Sequence, residues 1–458
     1  MKMLKNNNVI FIRQKNIYIN IYFNINNMIY RNQFFICNGL SDDKKNELDL
    51  KFIKLNSNRY LYYKNLNYKI FNLNENQIIL IGFCIQSDPS KEQNLNDIFN
   101  DNIENIEIVL STLVGNYIVI YKNMIYKDIG NLYKLFLYNN NNEILISNNA
   151  LIFKNVLNLD LGTKQKFGGH KMRYCPGGKS AFSMVKSLYN SQNINVNGEI
   201  FHNKLLKDII LEKLTLNDFV KMHTEYCCQI ISNLYKCLKY RNKRLFLTLT
   251  GGRDSRMILA VCLHLKIPFE EIITFKINQH DIDISKEICK KYNLKHTIID
   301  FNKFKINTNI KKEWENIIGD EFVEKDNEII QKEVLESIMN EGDCIIFGNG
   351  PGWCSVTYAA GCDDINSKEY SEYKKWIEKY HEEIPLKNRL FLEFRVGSWM
   401  SSIQHSYDMC SKIQRFCFPI SEKIIANSFL LGSNRNKFAI NEGVIKLLIP
   451  ELNNIRYN

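Results

Sequence analysis

The chain has 458 residues, of which 45% are hydrophobic and 12% are aromatic. This composition excludes a disordered chain and provides enough apolar material for about two or three cores. No run of 18 apolar residues is present, and no apolar stretch of signal-peptide type follows the N-terminal lysines. We therefore expect a cytoplasmic protein without a membrane partner.

The net charge is +11, because 60 Lys and Arg residues stand against 49 Asp and Glu residues. An excess of this size can indicate nucleic-acid binding. Here the lysines are spread along the whole chain and are not gathered on one element, which is typical of a solvated surface. We therefore expect no nucleic-acid partner.

Residues 9–149 read as all-β, with apolar runs that alternate with Asn-rich turns. The clearest runs are 17–23, 78–81, 117–121 and 143–146. The Asn run at 139–142 predicts a hairpin turn, because asparagine tolerates turn conformations and the flanking residues are β-branched or aromatic.

A different pattern begins at Thr215, which with Asp218 resembles a helix start and precedes apolar residues at helical spacing as far as Leu238. Strands at 245–249, 272–275, 297–299 and 344–347 then alternate with helical segments. This alternation predicts βαβ units and a parallel sheet that is covered on both faces. We place one domain at residues 1–205 and a second at residues 206–458.

The strongest signal for chemistry directly follows strand 245–249. The segment from Thr250 to Ser255 reads Thr-Gly-Gly-Arg-Asp-Ser and joins this strand to an apolar helix. Ligands of open parallel sheets bind at this end of the strands. The two glycines are expected to turn the backbone sharply and to bring its N–H groups close to an anion, while the helix N-terminus adds a favourable potential. The loop predicts a pyrophosphate site, and the structural alternative is a Gly-Gly turn that Asp254 and Ser255 cap.

The loop resembles the pyrophosphate loop of the N-type ATP pyrophosphatases, usually written Ser-Gly-Gly-x-Asp-Ser, with Thr250 in place of the first serine. Residues 273–275 and 294–297 look like the segments that follow it in the C-terminal domain of asparagine synthetase. Residues 388–399 and 450–458 look like asparagine synthetase-like proteins. The resemblance implies a parallel-sheet α/β ATP-pyrophosphatase domain with ATP and Mg²⁺ as cofactors.

The loop also suggests roles for its charged residues. Phosphate would repel an Asp254 carboxylate that had no partner. We therefore expect Asp254 to hold the loop by accepting from backbone N–H groups, or to ligate Mg²⁺. Arg253 and Arg256 are expected to complement phosphate charge. Asp254, Arg253 and Lys446 are the predicted catalytic residues, and Lys446 is chosen from several undistinguished basic residues near the C-terminus. The predicted nucleotide-binding residues are Thr250, Gly251, Gly252, Asp254, Ser255, Arg256, Phe275, Gly348 and Asn349.

The N-terminal half carries a shorter resemblance. Residues 115–117, 128–131 and 146–148 resemble segments of the class II glutamine amidotransferases, whose domain is an Ntn-type sandwich of two antiparallel sheets. A glutaminase of this class uses an N-terminal cysteine whose free α-amine serves as the base. Residue 2 is Lys2, and the first cysteine is Cys37. We therefore expect a degenerate amidotransferase-like domain without glutaminase activity.

A second departure from the family follows strand 344–347. Residues 348–353 read Gly-Asn-Gly-Pro-Gly-Trp, where asparagine synthetases usually carry Gly-Asp-Gly-x-Asp-Glu. In those enzymes the carboxylates help to hold Mg²⁺ and pyrophosphate. Asn349 keeps a hydrogen-bonding side chain but brings no charge, and Asp343 is expected at the opposite end of the strand.

The resemblance implies an ATP-dependent C–N ligase of asparagine synthetase type. A small-molecule or peptide carboxylate would form an acyl-adenylate, and ammonia or an amine, free or from a separate glutaminase, would displace AMP. Two alternatives stay open: an RNA-modifying enzyme with the same loop, and a nucleotide-binding protein without catalysis. The expected fold class is α/β and β, with an antiparallel two-sheet Ntn-like sandwich followed by the parallel-sheet α/β domain.

Overall fold

The computed structural model of the protein describes residues 5–6, 9–10, 29, 31–73, 76–88, 95–101, 106–128, 132–140, 143–165, 175, 178–190, 192–202, 214–318, 325–348, 371, 374–375, 391–417 and 437–457. The strand predicted at 17–23 lies outside these residues. Within them, no helix is both long enough and apolar enough to cross a membrane.

The N-terminal half contains two antiparallel sheets of six strands each. The strands of the first sheet are Phe34–Asn38 (β3), Lys51–Lys54 (β4), Arg59–Tyr63 (β5), Phe136–Asn140 (β10), Glu143–Ser147 (β11) and Val185–Ser187 (β12). Those of the second are Tyr68–Leu73 (β6), Asn76–Gln86 (β7), Leu113–Tyr121 (β8), Met124–Lys127 (β9), Gln192–Asn195 (β13) and Ile200–His202 (β14). The orders are β12-β10-β11-β3-β5-β4 and β14-β13-β9-β8-β7-β6. A separate short pair joins Lys5–Asn6 (β1) to Val9–Ile10 (β2).

The two six-stranded sheets pack face to face as a sandwich. One apolar core contains Phe34 and Ile36 from the first sheet together with Ile79 and Ile118 from the second. Alternate residues of each strand point to the opposite face, and these form separate cores with helices on the outside of each sheet. The predicted two-sheet antiparallel sandwich is confirmed. The predicted hairpin is also confirmed, since Asn140 pairs with Glu143 across β10 and β11.

The prediction that this region is all-β is wrong in one respect, because short helices cover the sandwich. They are Asp42–Glu47 (α1), Leu95–Asp101 (α2), Ile106–Thr112 (α3) and Leu151–Asn155 (α4). Phe99 of α2 and Val109 of α3 pack against the outer face of the second sheet, and Phe153 of α4 packs against the first. These helices have seven residues or fewer, which is too short for the helical period to stand out from the neighbouring strands.

The C-terminal half contains a five-stranded sheet in which all neighbouring strands are parallel. Its strands are Leu245–Thr248 (β15), Glu271–Phe275 (β16), His296–Ile299 (β17), Cys344–Phe347 (β18) and Gln414–Cys417 (β19), in the order β17-β16-β15-β18-β19. The predicted parallel α/β sheet is confirmed. Its edge strand β19 was not predicted from the sequence.

Helices cover both faces of the parallel sheet, as buried parallel strands require. They are Leu216–Tyr240 (α5), Arg253–His264 (α6), Gln279–Lys291 (α7), Thr308–Ile318 (α8), Lys325–Ile338 (α9), Ser401–Cys410 (α10), Lys437–Leu448 (α11) and Pro450–Asn453 (α12). α5, α6, α7 and α11 share one core with Leu245 and Leu247, whereas α9 and α10 pack on the side of Phe246. A π-helix, Phe391–Met400, leads directly into α10.

Helix α5 connects the two halves, and its start is the one predicted from the sequence. The Thr215 side chain accepts a hydrogen bond from the backbone N–H of Asp218 and so caps the helix. The apolar face that was predicted from Phe219 to Leu238 is buried. Asn233 of α5 also contacts the sandwich, since its side chain donates a hydrogen bond of 3.0 Å to the backbone carbonyl of Gln86 in β7.

Candidate functional site

The order of the parallel strands places a crevice beside the predicted loop. β15 comes first in the chain and lies in the middle of the sheet, with β16 on one side and β18 on the other. The winding of the chain reverses between β15 and β18, and ligands of such sheets bind outside the carboxyl ends of the strands at this point. A cavity of about 470 Å³ lies there, lined by Thr248, Gly348 and the start of α6.

Hydrogen bonds within the loop hold the residues between β15 and α6. The Thr250 N–H donates to Ser255 Oγ at 3.1 Å, and the Gly252 N–H donates to Thr250 Oγ1 at 3.2 Å. Both hydroxyls therefore accept from the loop backbone, and Thr250, Gly252 and Ser255 all line the cavity. The two hydroxyl residues therefore lie together beside the cavity.

The two loop glycines do not use the left-handed conformation that a sharp glycine turn would require. Neither Gly251 nor Gly252 has a positive φ, and Gly252 is an extended N-cap residue with φ −78° and ψ 175°. Gly252 has no side chain to accept from the first-turn N–H groups of α6. An N-terminus that lacks a side-chain cap presents these donors, with the positive end of the helix dipole, toward the cavity. The start of α6, more than a sharp turn, makes this place suitable for an anion.

Asp281 of α7 holds the loop from the neighbouring strand connection. Its Oδ1 accepts the Gly251 N–H at 2.6 Å, and its Oδ2 accepts from Asn278 Nδ2 at 2.8 Å. Asp281 is 7% exposed, and Gly251 does not line the cavity. Asp281 was not identified as a site residue from the sequence. The available signal was that Asp281 follows the next predicted strand, β16. Because β16 pairs with β15, the residues that follow the two strands lie close together.

Helix α11 positions the two charged residues that follow Gly252. Asn441 Nδ2 donates to Asp254 Oδ1 at 2.6 Å, and Arg253 Nε donates to Glu442 Oε1 at 2.5 Å. Arg253 and Asp254 both line the cavity. Neither Asn441 nor Glu442 was identified from the sequence, because about 190 residues separate them from the loop.

Arg256 does not have the predicted phosphate role. Its side chain is fully buried, and its guanidinium donates to the backbone carbonyls of Ile455 at 2.6 Å and Arg456 at 2.7 Å, and to that of Gly251 at 3.2 Å. The guanidinium also lies 3.9 Å from the centre of the Tyr457 ring. The Arg256 side chain therefore points away from the cavity, and its hydrogen bonds join the C-terminal segment to the loop.

The second predicted loop begins at Gly348, which touches the first turn of α6. A Cβ atom at Gly348 would lie 2.8 Å from Ser255 Cβ and 2.9 Å from its backbone nitrogen. Glycine is therefore required for the close approach of β18 to α6. Asn349 lies outside the described residues. Asp343 precedes β18 at the opposite end, where Arg244 Nη2 lies 2.6 Å from its carboxylate, as expected.

Aromatic and aliphatic side chains form one wall of the cavity. Phe275, a predicted nucleotide-binding residue, stacks on Phe347 with ring centres 6.1 Å apart and an angle of 9°. Trp399 from the π-helix and Ile273 complete this wall. Flat apolar surfaces of this kind suit the base of a nucleotide, whereas the loop end suits its phosphates.

Two charged residues that sequence reasoning missed also line the cavity: the buried Arg415 of β19 and the partly buried Glu328 of α9. Arg415 is 3% exposed, and its guanidinium lies 4.3 Å from the centre of the Phe347 ring. Burial raises the pKa of Glu328, and the charge of Arg415 opposes that rise. The only advance signal for Arg415 was a lone arginine inside a short apolar run, in a strand that was itself not predicted.

Lys446 is exposed on the last turn of α11 and does not line the cavity. It lies one turn after Glu442, on the helix that positions Arg253 and Asp254. Its catalytic role stays a prediction.

The described residues fit ATP, with a helix N-terminus for phosphate and an apolar wall for the base. They also fit Mg²⁺ bound together with phosphate oxygens. Among the described residues, no three or more His, Cys, Asp or Glu side chains are placed to hold a metal by themselves. Mg²⁺ usually takes one or two carboxylates together with substrate phosphates, and Asp254 at the loop is placed to supply one.

No protein-family model matches the sequence, and no curated protein matches it. Among solved structures, the chain is similar to a U34-tRNA thiolase, NcsA, from Methanococcus maripaludis, with 13% identity over 52% of this chain and 76% of that chain and a TM-score of 0.21. It is also similar to a glutamine phosphoribosylpyrophosphate amidotransferase from B. subtilis, with 9% identity over 70% and 76% of the two chains and a TM-score of 0.23. Similarity at this level identifies no family.

Proposed function

We propose that the protein is an ATP-dependent ligase that forms an amide bond, in the manner of asparagine synthetase. It would activate a carboxylate as an acyl-adenylate with release of pyrophosphate, and a nitrogen nucleophile would then displace AMP. The observation that carries the proposal is the loop from Thr250 to Ser255. It places the N-terminus of α6 and the carboxylate of Asp254 at the switch point of a parallel sheet, facing a cavity with an apolar wall.

The chain's own residues would act by positioning and by electrostatic stabilisation. The first turn of α6 would hold the departing pyrophosphate, and Arg253 would add positive charge close to it. Asp254 would be held in place by Asn441 and would supply a carboxylate ligand to Mg²⁺, which neutralises phosphate charge when bound. The apolar wall around Phe275 and Phe347 would keep water from the acyl-adenylate.

The nitrogen would come from ammonia, an amine or a separate glutaminase. Cys37 is 4% exposed inside β3 and pairs with Tyr60 of β5. Burial raises the pKa of the Cys37 thiol to about 12. A thiol that stays protonated is a weak nucleophile, which argues against glutamine hydrolysis by this residue.

The same proposal assigns residues 1–205 to a degenerate amidotransferase-like domain and residues 206–458 to the ATP-binding domain. The change from antiparallel to parallel sheets between β14 and α5 supports this division. The boundary itself lies outside the described residues.

ATP–pyrophosphate exchange in the presence of a panel of carboxylic acids tests the proposal. Asp254→Asn keeps the size of the side chain and removes its charge. We expect this variant to lower the exchange rate by about 100-fold or more, as the loss of a transition-state electrostatic contact does. Asp283→Ala is the matched control, because Asp283 is an exposed aspartate on α7.

Three outcomes would count against the proposal. Exchange that survives Asp254→Asn unchanged would contradict the site. ATP binding without exchange for any acid in the panel would favour a nucleotide-binding protein without catalysis. RNA that copurifies with the protein and is released only by high salt would favour an RNA-modifying enzyme.

A further inference from the structure

A second cavity, of about 430 Å³, lies between the sandwich and the parallel-sheet half. From the sandwich, Gly82 of β7 and Asn116 of β8 contribute to its wall, and from the other half Gln404 and Asp408 of α10 contribute. Arg415 of β19 lines this cavity as well as the cavity beside the loop. The volume of the cavity between the halves lies within the range of small-molecule sites.

The charge around this cavity is mainly positive. Among the described residues that line it, the charged ones are the cations Arg31, Arg241, Lys243, Lys412 and Arg415 and one carboxylate, that of Asp408. Burial raises the pKa of Asp408 to about 7, so this carboxyl is partly neutral near neutral pH. A concave surface with this balance attracts anions.

Arg415 is the buried part of this positive charge. Its Nε and Nη1 atoms have no hydrogen-bond partner among the described residues, although the residue is 3% exposed. The guanidinium lies against the rings of Phe347 and Tyr407, at 4.3 and 5.1 Å from their centres. Aromatic rings do not replace hydrogen-bond acceptors, and buried charged donors without acceptors are costly. These two donors lie on different edges of the guanidinium, so a carboxylate in the cavity would satisfy one of them and would take Nη2 as the second donor of a parallel pair.

Two amide oxygens in the same cavity also lack hydrogen-bond partners within the described residues. They are Asn116 Oδ1 and Gln404 Oε1. The NH₂ groups of both side chains donate to the Asp408 carboxylate, and Gln404 Nε2 also donates to the Arg415 carbonyl at 3.1 Å. These bonds fix the orientation of both amides, so their oxygens are left to accept from a ligand.

We propose that this cavity binds a small carboxylate that carries hydroxyl groups, with its carboxylate on Arg415 and its hydroxyls donating to Asn116 Oδ1 and Gln404 Oε1. A plain carboxylate would satisfy the guanidinium and leave both amide oxygens unpaired. A neutral polyol would pair the amides but would bring no negative charge to the Arg415 donors. The proposal does not depend on ATP chemistry: Asn116 and Gln404 line this cavity and not the one beside the loop, and Arg415, which lines both, is tested without nucleotide.

Titration calorimetry of the full chain without nucleotide tests this proposal. The probes are D-gluconate with its unsubstituted partner hexanoate, and L-malate with its partner succinate. We expect the hydroxylated member of at least one pair to bind with a Kd below about 1 mM and at least about tenfold more tightly than its partner. Equal affinity within both pairs, or no saturable binding of either hydroxy acid, would overturn the proposal. Inorganic phosphate that binds as tightly as the hydroxy acids would also overturn it.

Variants identify the groups that bind the probe. Arg415→Gln should weaken hydroxy-acid binding by about tenfold or more, as expected for hydrogen bonds to a charged group. Asn116→Leu should weaken binding of the hydroxylated probe and leave that of its partner unchanged. Lys295→Gln, which removes one positive charge at an exposed position away from the cavity, is the control.

Thermal unfolding and circular dichroism would show whether each variant folds. If Arg415→Gln does not fold, Arg415→Lys retains the charge but cannot form two parallel bonds, and it should still weaken binding. Wild-type affinity in a folded Arg415 variant would refute the assignment.

Discussion

Arg253 and Arg256 are three residues apart in one loop, and the structure gives them different tasks. Arg253 faces the cavity and pairs with Glu442, whereas Arg256 binds backbone carbonyls of the C-terminal segment. Both arginines satisfy the same sequence pattern, because a positive charge near a phosphate loop favours an anion site. Only the position of the C-terminal segment separates them, and that position depends on packing about 200 residues farther along the chain.

Buried histidines make the stability of the protein depend on pH. His223 of α5 is fully buried against Phe219, with stacked rings 5.7 Å apart, and burial lowers its pKa to about 4. The unfolded value is about 6.5. Well above pH 6.5 the residue is neutral in both states. As the pH falls from about 6.5 to about 4, the unfolded chain binds a proton that the folded chain excludes, so stability is lost over this range.

We therefore expect the free energy of unfolding to fall by about 2 kcal/mol between pH 6.5 and pH 5 on account of His223 alone. His223→Leu, which cannot titrate, should flatten the dependence by this amount in urea unfolding measured at several pH values. His264→Gln changes an exposed histidine and serves as the control. An unchanged pH dependence in His223→Leu would contradict the role of its burial.

At the scale of elements, sequence patterns predicted the structure best where burial is regular. The strands at 245–249, 272–275 and 344–347 are found within one or two residues of their predicted ends, because each is a short apolar run bounded by polar residues. β19 was missed, since Gln414 and Arg415 interrupt its apolar pattern. Helix α6 starts at Arg253, four residues before Met257, where its predicted apolar pattern begins, because its first turn is polar and faces the site.

The candidate site was predicted in part for the same reason. The residues of the loop itself were identified, because they form one short continuous motif between a strand and a helix. Asp281, Asn441 and Arg415 were not identified, because strand order and helix packing bring them to the site from distant positions. A single sequence does not give that order.

The contact between the end of β18 and the start of α6 leads to a test at this scale. A methyl group at Gly348 would lie within 2.9 Å of Ser255 backbone and side-chain atoms, so Gly348→Ala must push the strand away from the helix. We expect ATP affinity, measured by calorimetry, to fall about tenfold or more, and stability to fall by about 1–3 kcal/mol.

Gly39→Ala is the matched control, since a methyl group there would meet only the Tyr60 ring, at 3.4 Å or beyond. Wild-type ATP affinity in Gly348→Ala would show that the apposition of β18 and α6 does not shape the nucleotide site.

At the scale of the whole molecule, the two halves share one core. Ile85 of β7 and Val114 of β8 belong to the same buried cluster as α5, α6 and α11. Polar contacts cross the same junction: Lys134 Nζ donates to Ser402 Oγ at 2.8 Å, and Lys134 is 1% exposed. Halves joined through a continuous apolar core and buried hydrogen bonds are expected to lose their structure together, unlike domains with a small polar interface.

This shared core predicts a single unfolding transition. The four tryptophans, at 314, 353, 376 and 399, all lie in the C-terminal half, so their fluorescence reports on that half. Ile118 lies in the core of the sandwich, away from the junction. Ile118→Ala should nevertheless lower the stability measured by tryptophan fluorescence in urea by about 2–4 kcal/mol, because a cavity in one half destabilises the whole unit.

Ile108→Ala, at an exposed position on α3, is the control and should change this stability by less than about 0.5 kcal/mol. A fluorescence transition that does not respond to Ile118→Ala would mean that the halves unfold independently, and that the cavity between them opens without loss of the ATP site.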